Sequence, residues 1–431
     1  MVYTQSAIEL ATPGPSKESS LPAKLMNIQE ARSLVLRESL PLPVECRAVP
    51  DALGMVVADD VVAPFSIPPF DNSAMDGFAV QAWDTSEASS SHGVELMVVE
   101  TIAAGEVATH RIESGQAIKI MTGAPIPEGA DAVVQLEHTR ETNGQVAILE
   151  SVEVGKNIRR AGEDVTAGTT ALAAGSVLGP AEVGLLVGLG LSSVSVTRLP
   201  RVAIVSTGSE LVELGQELGP GQIHNSNGYV LCALCRQLGI EADMLGIVPD
   251  DYEATRAALA KGLERDVLIT SGGVSVGEFD FVKEVHAELG VRQLLWGVAM
   301  KPGKPLVFGV RGSTLVFGLP GNPASAMVSF ELFVRPALLR LMGHRKTSRP
   351  LRKAVVDEDL RNRSGRVHVV RVRAWREGNT WRASTTGDQS SARLRSMVGA
   401  NGLILVPETA EGVRAGEEVD LLLLREEMEE P

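Results

Sequence analysis

Residues 200–343 alternate between short apolar runs and longer amphipathic stretches, and this alternation constrains the fold more than any other feature. The apolar runs are RVAIV, ADMLGIV, DVLIT, LLWGV and TLVFGL, with the length and composition of strands buried on both faces. The stretches between them, such as YEATRAALAKGLER, have the apolar spacing of helices. Strands that alternate with helices predict a mostly parallel sheet covered by helices on both faces.

A sheet of this kind binds its ligands beyond the carboxyl ends of its strands, where the connecting loops converge. Here those loops are rich in glycine, hydroxyl and charged residues. They read STGSE at 206–210, PDD at 249–251, SGGVSVGEFD at 271–280, KPGKP at 301–305 and LPGNP at 319–323. We therefore expect all five loops to share one edge and to form the functional site.

The loop SGGVSVGEFD predicts an anion-binding site beside a metal site. Glycine lets backbone N–H groups approach an anion closely, although the loop fits neither the Walker spacing nor the Rossmann fingerprint. Mg²⁺ is commonly held by one or two carboxylates together with phosphate oxygens. Three acids that follow three of the strands are candidate Mg²⁺ ligands, namely Glu210, Asp250 and Asp280. Capping of the next helix is the alternative role for an aspartate in such a position.

The loop KPGKP suits a small oxyanion. Lys301 and Lys304 stand three residues apart in a run that proline stiffens, so their ammonium groups are restrained. A solvated surface role is the alternative for both lysines. In the last loop Pro323 begins a helix whose N-terminus points back at the site, with Ser325 in its first turn.

The rest of the chain reads mainly as β structure. Residues 48–195 consist of short β-branched runs broken by glycine, and strand patterns return beyond residue 346. We predict a multidomain α/β plus β protein with a central, mostly parallel α/β domain, a β-rich insertion domain and a C-terminal β-barrel-like domain. The predicted parts are a disordered tail at 1–25, an elongated N-terminal domain at 26–47 and 156–198, the insertion at 48–155, the α/β domain at 199–345 and the β domain at 346–431.

Composition excludes two classes of partner. The 54 Asp and Glu residues exceed the 40 Lys and Arg residues by 14, whereas broad binding of a nucleic-acid backbone needs a basic surface. The sequence lacks a run of about 18 apolar residues and begins without the charged and apolar regions of a signal peptide. We therefore expect no nucleic-acid or membrane partner and a cytoplasmic location.

Seven motifs, in order, resemble those of the molybdopterin molybdenumtransferase family, which includes MoeA and the E domain of gephyrin. They are PPFDNSAMDGFAV, IMTGAPIPEGADAVV, NIRRAGEDV, STGSEL, SGGVSVGEFDFVKEV, MKPGKPLVFG and GLPGNPASAMVSF. The resemblance runs from about residue 27 to 410 and gives the central domain the molybdopterin-binding type. It implies insertion of molybdate into adenylylated molybdopterin with Mg²⁺ and release of AMP.

The family resemblance also implies a homodimer and a set of site residues. The active cleft would form between the α/β domain of one subunit and the β-rich insertion domain of the other. Carried over by motif, the catalytic residues are Asp76, Thr122, Glu210, Asp250 and Asp280. The residues for molybdate and the pterin phosphate are Ser271, Gly272, Gly273, Lys301, Lys304, Pro305, Pro320, Pro323, Ser325, Arg366 and Ser391.

Three rival functions fit parts of the sequence. Adenylylation of molybdopterin suits the SGG loop with its nearby acids, but the additional β domains and the KPGKP loop favour molybdate insertion. A non-catalytic scaffold is the second alternative, because gephyrin uses a similar domain to organise other proteins. Tungstate in place of molybdate is the third, since the two oxyanions share charge and size.

Overall fold

The computed structural model describes residues 25–273 and 281–425, so nearly all of the predicted tail at 1–25 lies outside the described residues. Residue contacts divide the chain into two compact units, which we call the β unit (43–198) and the α/β unit (1–42 with 199–431). The helices are α1 Ile28–Glu38, α2 Pro180–Gly188, α3 Ser226–Arg236, α4 Tyr252–Gly262, α5 Val282–Glu288, α6 Pro323–Ser329 and α7 Arg335–Leu341. Over the described ranges, none of the helices is both long and apolar enough to cross a bilayer.

Helix α1 belongs to the α/β unit, although the sequence analysis placed residues 26–47 in an N-terminal domain with residues 156–198. Asn27 caps the helix by accepting a hydrogen bond from the Glu30 N–H at 2.8 Å. Ile28, Ala31 and Val35 share one face because of their spacing, and all three are buried in the main core of the α/β unit. The apolar stripe therefore decides which unit the helix joins.

The β unit is built mostly of strands. They are β1 Val44–Ala48, β2 Val56–Val57, β3 Val61–Val62, β4 Asn72–Ser73, β5 Gly77–Val80, β6 Val94–Ile102, β7 Gln116–Ile120, β8 Ala132–Gln135, β9 Thr139–Thr142, β10 Gln145–Ile148, β11 Ile158–Arg159, β12 Thr170–Leu172 and β13 Ser193–Thr197. The largest sheet has the order β8-β5-β7-β6-β10-β9. Phe78 and Val80 of β5 join one apolar cluster and Ala79 joins another, so side chains cover both faces of this sheet.

Residues 56–73 pair differently from the predicted insertion domain at 48–155. Strand β2 pairs with β13, β3 with β12 and β4 with β11, so each of these short strands finds its partner after residue 157. Two-residue strands leave little pattern in a sequence, and their pairing depends on contacts about a hundred residues apart. These pairings join residues 56–73 to residues 158–197 within the β unit.

The α/β unit contains the mostly parallel sheet that the sequence predicts. Its strands are β14 Val202–Thr207, β15 Leu211–Val212, β16 Ile223–His224, β17 Ala242–Val248, β18 Val267–Ser271, β19 Arg292–Trp296, β20 Met300–Lys301, β21 Val307–Arg311 and β22 Thr314–Leu319. The main sheet has the order β17-β14-β18-β22-β21-β19, and β17, β14, β18 and β22 are parallel. Val202 and Ile204 pack with α3 on one face, and Ala203 and Val205 pack with α4 and α5 on the other.

Strand β21 runs against its neighbours β22 and β19, and the sequence analysis did not separate it from the KPGKP loop. Because β21 is reversed, its N-terminal end lies at the carboxyl edge of the parallel strands. The loop at 301–305 precedes β21 and therefore reaches the same edge as the loops that follow β14, β17, β18 and β22.

The C-terminal region is a closed β-barrel, which confirms the predicted barrel-like domain. Its strands are β23 Leu351–Val356, β24 Leu360–Arg361, β25 Val367–Glu377, β26 Thr380–Thr385, β27 Gly402–Val406, β28 Gly412–Val413 and β29 Glu418–Leu423. The order β25-β26-β23-β29-β27 closes through pairing of β25 with β27. Strand β20 pairs with β25, matching Lys301 with His368, and so joins the KPGKP loop to the barrel.

Candidate functional site

The carboxyl edge of the parallel sheet carries a cavity of about 650 Å³, which we call cavity A. The loops after β14, β17, β18 and β22 form its walls. It brings together eight of the predicted site residues, namely Glu210, Asp250, Ser271, Gly272, Gly273, Pro305, Pro320 and Pro323. Asp280, predicted for the same site, lies outside the described residues.

The two glycines after β18 are required by close packing. Gly272 and Gly273 have φ angles of +93° and +65°. A Cβ atom at position 272 would lie 2.5 Å from the Thr207 carbonyl oxygen, and one at 273 would lie 2.4 Å from Val282 Cγ2. The Gly272 N–H donates to the Leu319 carbonyl oxygen at 3.1 Å, so this N–H continues the sheet pairing and is not free for an anion. The glycine cradle stays a prediction, in which the N–H of Gly272 is already used by β22.

Asp250 and Asp251 have different structural roles. Asp251 caps α4 by accepting from the Ala254 N–H at 2.8 Å, as the capping alternative predicted for such an aspartate. Asp250 lines cavity A, where its Oδ2 accepts from the Ser209 N–H at 3.2 Å. Glu210 lines the same cavity, with its carboxylate folded against Gly208. Two exposed carboxylates thus face cavity A.

The donor atoms of cavity A fit Mg²⁺. Within the described ranges, no group of three or more His, Cys, Asp or Glu side chains could hold a metal on its own. However, Thr207 Oγ1 is buried without a hydrogen-bond partner among the described residues, and Thr207 lines the cavity with Glu210 and Asp250. Mg²⁺ prefers oxygen ligands and usually binds through one or two carboxylates, water and substrate phosphate, which matches this set.

Asn227 is a cavity residue that the sequence analysis missed. Its Nδ2 donates to Ser271 Oγ and to the Gly321 carbonyl oxygen, both at 2.8 Å, and so joins the loops after β18 and β22. Asn225 begins the same helix by accepting from the Gly228 N–H at 3.1 Å. The motif NSN before an apolar helix was the available signal, because asparagine commonly caps helices.

A second cavity of about 620 Å³, cavity B, adjoins cavity A. Pro305, Pro320 and Asn322 line both. Cavity B brings together the predicted residues Lys301, Lys304, Pro305, Pro320, Ser325, Arg366 and Ser391. The KPGKP loop, the start of α6 and the barrel therefore meet at one place.

Positive charge and hydroxyl groups dominate cavity B. Lys301, Lys304 and Arg366 line it, against a single carboxylate among its described residues, Asp388. Ser325 is buried, and Ser391 Oγ accepts from Asn322 Nδ2 at 3.1 Å. Such a pocket suits a small anion with several oxygen atoms.

His368 also lines cavity B and was not predicted. Burial lowers the pKa of His368, and the positive charges of Lys301 and Arg371 lower it further. His368 Nδ1 lies 3.2 Å from the Arg361 carbonyl oxygen, which accepts the ring proton. No sequence signal marked His368, because its place depends on the pairing of β20 with β25.

Asp76 and Thr122 lie together in the β unit. Asp76 Oδ1 accepts hydrogen bonds from the Thr122 N–H at 2.7 Å and from Thr122 Oγ1 at 2.8 Å. The backbone hydrogen bond, followed by the side-chain one, lowers the pKa of Asp76. The structure thus pairs these two predicted catalytic residues and keeps the carboxylate ionised.

Comparison with known proteins identifies the family. Residues 26–190 match the MoeA N-terminal region (domain I and II), residues 203–340 a probable molybdopterin binding domain, and residues 353–424 the MoeA C-terminal region (domain IV). Molybdopterin molybdenumtransferase 2 of Mycobacterium tuberculosis is 40% identical over 406 residues, which cover 92% of this chain and 99% of the relative. The chain belongs to the MoeA family.

Further members of the MoeA family agree with this result. Molybdopterin molybdenumtransferase of Staphylococcus epidermidis is 35% identical over 399 residues, covering 92% of this chain and 95% of the relative. Two solved structures of the molybdopterin biosynthesis MoeA protein from Pyrococcus horikoshii have TM-scores of 0.79 and 0.78 at 34% and 33% identity. Each covers 93% of this chain and 100% of its own. The resemblance and the fold class inferred from the sequence are confirmed.

Proposed function

We propose that this MoeA-family chain is a molybdopterin molybdenumtransferase, an enzyme of molybdenum cofactor synthesis that inserts molybdate into molybdopterin. One observation carries the proposal: an acidic cavity suited to a metal-bound phosphate adjoins a basic cavity suited to an oxyanion. The names of the relatives, and the large share of their length that this chain matches, support the proposal. A reaction that brings two anions together needs such a division of charge.

The finer proposal concerns the pterin substrate. We assign adenylylated molybdopterin to the cleft, with its phosphate groups in cavity A and the dithiolene end directed towards cavity B. Mg²⁺, when bound by Glu210, Asp250 and the phosphate oxygens, would supply charge neutralisation and a polarised phosphoanhydride. AMP is then the expected product. We place this reaction in the cytoplasm.

The side chains that line cavity B would bind the oxyanion. Molybdate carries two negative charges, and two unit charges about 4 Å apart repel by about 4 kcal/mol at a protein surface. Lys301, Lys304 and Arg366 offset this repulsion where they line cavity B. Ser391 and Ser325 provide hydroxyl groups for the oxygens, so that the oxyanion is held in one orientation.

Asp76 and Thr122 complete the proposed catalytic set. We propose a homodimer in which the partner subunit supplies this pair, as the family resemblance implies. Asp76 is ionised at neutral pH, because the two hydrogen bonds from Thr122 lower its pKa. A lowered pKa makes the carboxylate a weak base, so Asp76 is suited to orient a water molecule or a substrate group rather than to accept a proton.

AMP release tests the proposal directly. Purified protein is mixed with adenylylated molybdopterin and Mg²⁺, molybdate is added, and AMP and the molybdenum-loaded pterin are measured. We expect both products with the parent and neither with Lys301→Ala. Absence of AMP with every component present would reject the proposal. Formation of an adenylylated pterin from molybdopterin and ATP would instead identify the rival adenylyltransferase, and a tungstate arm would measure oxyanion preference.

A further inference from the structure

A third cavity, which we call cavity C, lies on the C-terminal barrel and has a volume of about 650 Å³. Its lining comes from β25 and β26, from the segment that follows β26 and from the turn at 394–399. Among the described residues, it shares only Asp388 with cavity B and none with cavity A. A space of this size is typical of small-molecule sites in proteins.

The register of two barrel strands places a charged residue on the floor of cavity C. Arg373 of β25 lies opposite Ser384 of β26, so the two side chains share one face of the sheet. Val372 and Ala374, the neighbours of Arg373 in β25, are buried in the barrel core. Because side chains alternate along a strand, Arg373 and Ser384 lie on the outer face of the barrel. The floor of cavity C therefore offers a guanidinium and a hydroxyl group.

Two more arginines line cavity C from the segment after β26. Arg393 and Arg395 are both exposed. Arg393 Nε donates to Asp388 Oδ2 at 3.1 Å, whereas the guanidinium of Arg395 has no ion pair or hydrogen bond with a described residue. Asp388 is the single carboxylate among the described lining residues. Cavity C thus contains three positive charges and one negative charge.

This concentration of positive charge is local. The chain as a whole has 14 more acidic than basic side chains, so a basic cavity does not follow from its composition. Positive charges that line one cavity repel one another, and an anion bound between them removes that repulsion. We therefore expect cavity C to bind an anion.

The number and kind of cations indicate the class of anion. A guanidinium binds carboxylate or phosphate oxygens through paired N–H donors. A phosphate monoester presents three terminal oxygens and nearly two negative charges at neutral pH, whereas a carboxylate presents two oxygens and one charge. A set of three arginines therefore suits a phosphate monoester better than a carboxylate.

The size of cavity C and its apolar edge point to an organic group on the phosphate. Inorganic phosphate would fill only part of a cavity of about 650 Å³. Val398 also lines the cavity, and its side chain is exposed. An organic group that covers Val398 would remove apolar surface from water and so add to the affinity.

We propose that cavity C is a binding site for a small-molecule phosphate monoester. Arg373, Arg393 and Arg395 hold the phosphate, and the organic group packs against Val398. None of these four residues belongs to the set assigned to molybdate insertion. The proposal therefore goes beyond the proposed function and does not rest on it.

Calorimetric titration tests this proposal with two probes, phenyl phosphate and inorganic phosphate. The variants are Arg395→Gln, Val398→Ser and the matched control Arg414→Gln, at an exposed barrel arginine that lines none of cavities A, B and C. We expect Arg395→Gln to raise the Kd for both probes about tenfold, because a charge-assisted contact is lost. Val398→Ser should weaken only phenyl phosphate, and Arg414→Gln should match the parent with both probes.

A further variant identifies which cavity holds the probe. Lys301 lines cavity B, so Lys301→Ala should leave the Kd for phenyl phosphate unchanged if the probe binds in cavity C. Weakening by Lys301→Ala but not by Arg395→Gln would place the anion in cavity B and overturn the inference. A parent that binds neither probe, or a folded Arg395→Gln variant that binds both as the parent does, would also overturn it. The AMP-release assay is unaffected by these outcomes, so the proposed function is judged separately.

Discussion

At the scale of single residues, Gly272 and Gly246 form a matched pair. Their φ angles are +93° and +92°, so alanine costs the same backbone strain at both positions, about 1 kcal/mol. They differ in surroundings: a Cβ at 272 would lie 2.5 Å from the Thr207 carbonyl oxygen, whereas nothing lies within 4 Å of one at 246. We expect Gly272→Ala to lower the free energy of unfolding by about 2–4 kcal/mol and Gly246→Ala by about 1 kcal/mol.

The proposed binding of AMP to cavity A supplies the second readout for this pair. Gly272→Ala pushes Thr207 away from β18, and Thr207 lines the cavity, so the affinity for AMP should fall about tenfold or more. Gly246→Ala should leave the affinity unchanged, because that glycine lies in β17 outside the cavity. Urea unfolding and calorimetric titration measure both effects. Equal losses in the two variants would mean that backbone strain, not close packing, fixes glycine at 272.

The sequence located site residues that directly follow a strand, but not those whose position depends on pairing between distant strands. Glu210, Asp250 and Lys301 were found because strand ends meet at one edge of a parallel sheet. His368 was missed because it reaches cavity B through the register of β25, and Asp388 because it lies in the loop after β26, whose position the sequence does not reveal. Asp251 shows a third case, in which neighbouring aspartates are equivalent in sequence and only the hydrogen bond to Ala254 distinguishes the cap from the cavity residue.

At the scale of elements, the length of a strand or helix decided whether the sequence predicted it. Five strands of the six-stranded main sheet have clear apolar runs, namely β14, β17, β18, β19 and β22. The helices between them have clear periodicity. Strand β21 was missed although VFGV at 307–310 is an apolar run, because the run follows the KPGKP loop directly and was read together with it. Strands β2, β3 and β4 have two residues each, so their pairing with β13, β12 and β11 comes from tertiary contacts rather than local pattern.

Helix α5 carries a histidine that makes the α/β unit sensitive to acid. His286 is 5% exposed, and its Nε2 has no partner among the described residues. Burial lowers the pKa of His286 to about 4 from its ordinary value of 6.5. The unfolded chain therefore binds a proton more readily than the folded one between these pH values. Stability from neutral His286 is complete above about pH 6.5 and falls, by up to about 3 kcal/mol, as the pH drops to about 4.

Substitution of His286 measures this contribution. His286→Leu removes the titrating group, so the free energy of unfolding of the variant should change less between pH 6.5 and pH 4 than that of the parent. Urea unfolding at several pH values gives the comparison. His92→Leu, at an exposed histidine, serves as the control and should keep the slope of the parent. If His286→Leu kept the full slope as well, the acid sensitivity would belong to other groups.

At the scale of the whole molecule, the residues assigned to one reaction belong to two compact units. Asp76 and Thr122 lie in the β unit, while Lys301 and the other residues of cavities A and B lie in the α/β unit. The proposed homodimer explains this division, because one subunit can supply the first pair and its partner the second. Closed symmetric dimers of this kind form two equivalent sites.

Heterodimers of two inactive variants test the shared site. Asp76→Asn disables the Asp76–Thr122 pair that one subunit supplies, and Lys301→Ala disables cavity B of the other subunit. Neither homodimer should therefore insert molybdate. A heterodimer isolated through two different tags has one site with both substitutions and one with neither, and we expect about half of the parent activity. If Asp76 and Lys301 act within the same subunit, every site of the heterodimer carries one substitution and no activity returns. AMP release measures the outcome, with the two homodimers purified in the same way as controls.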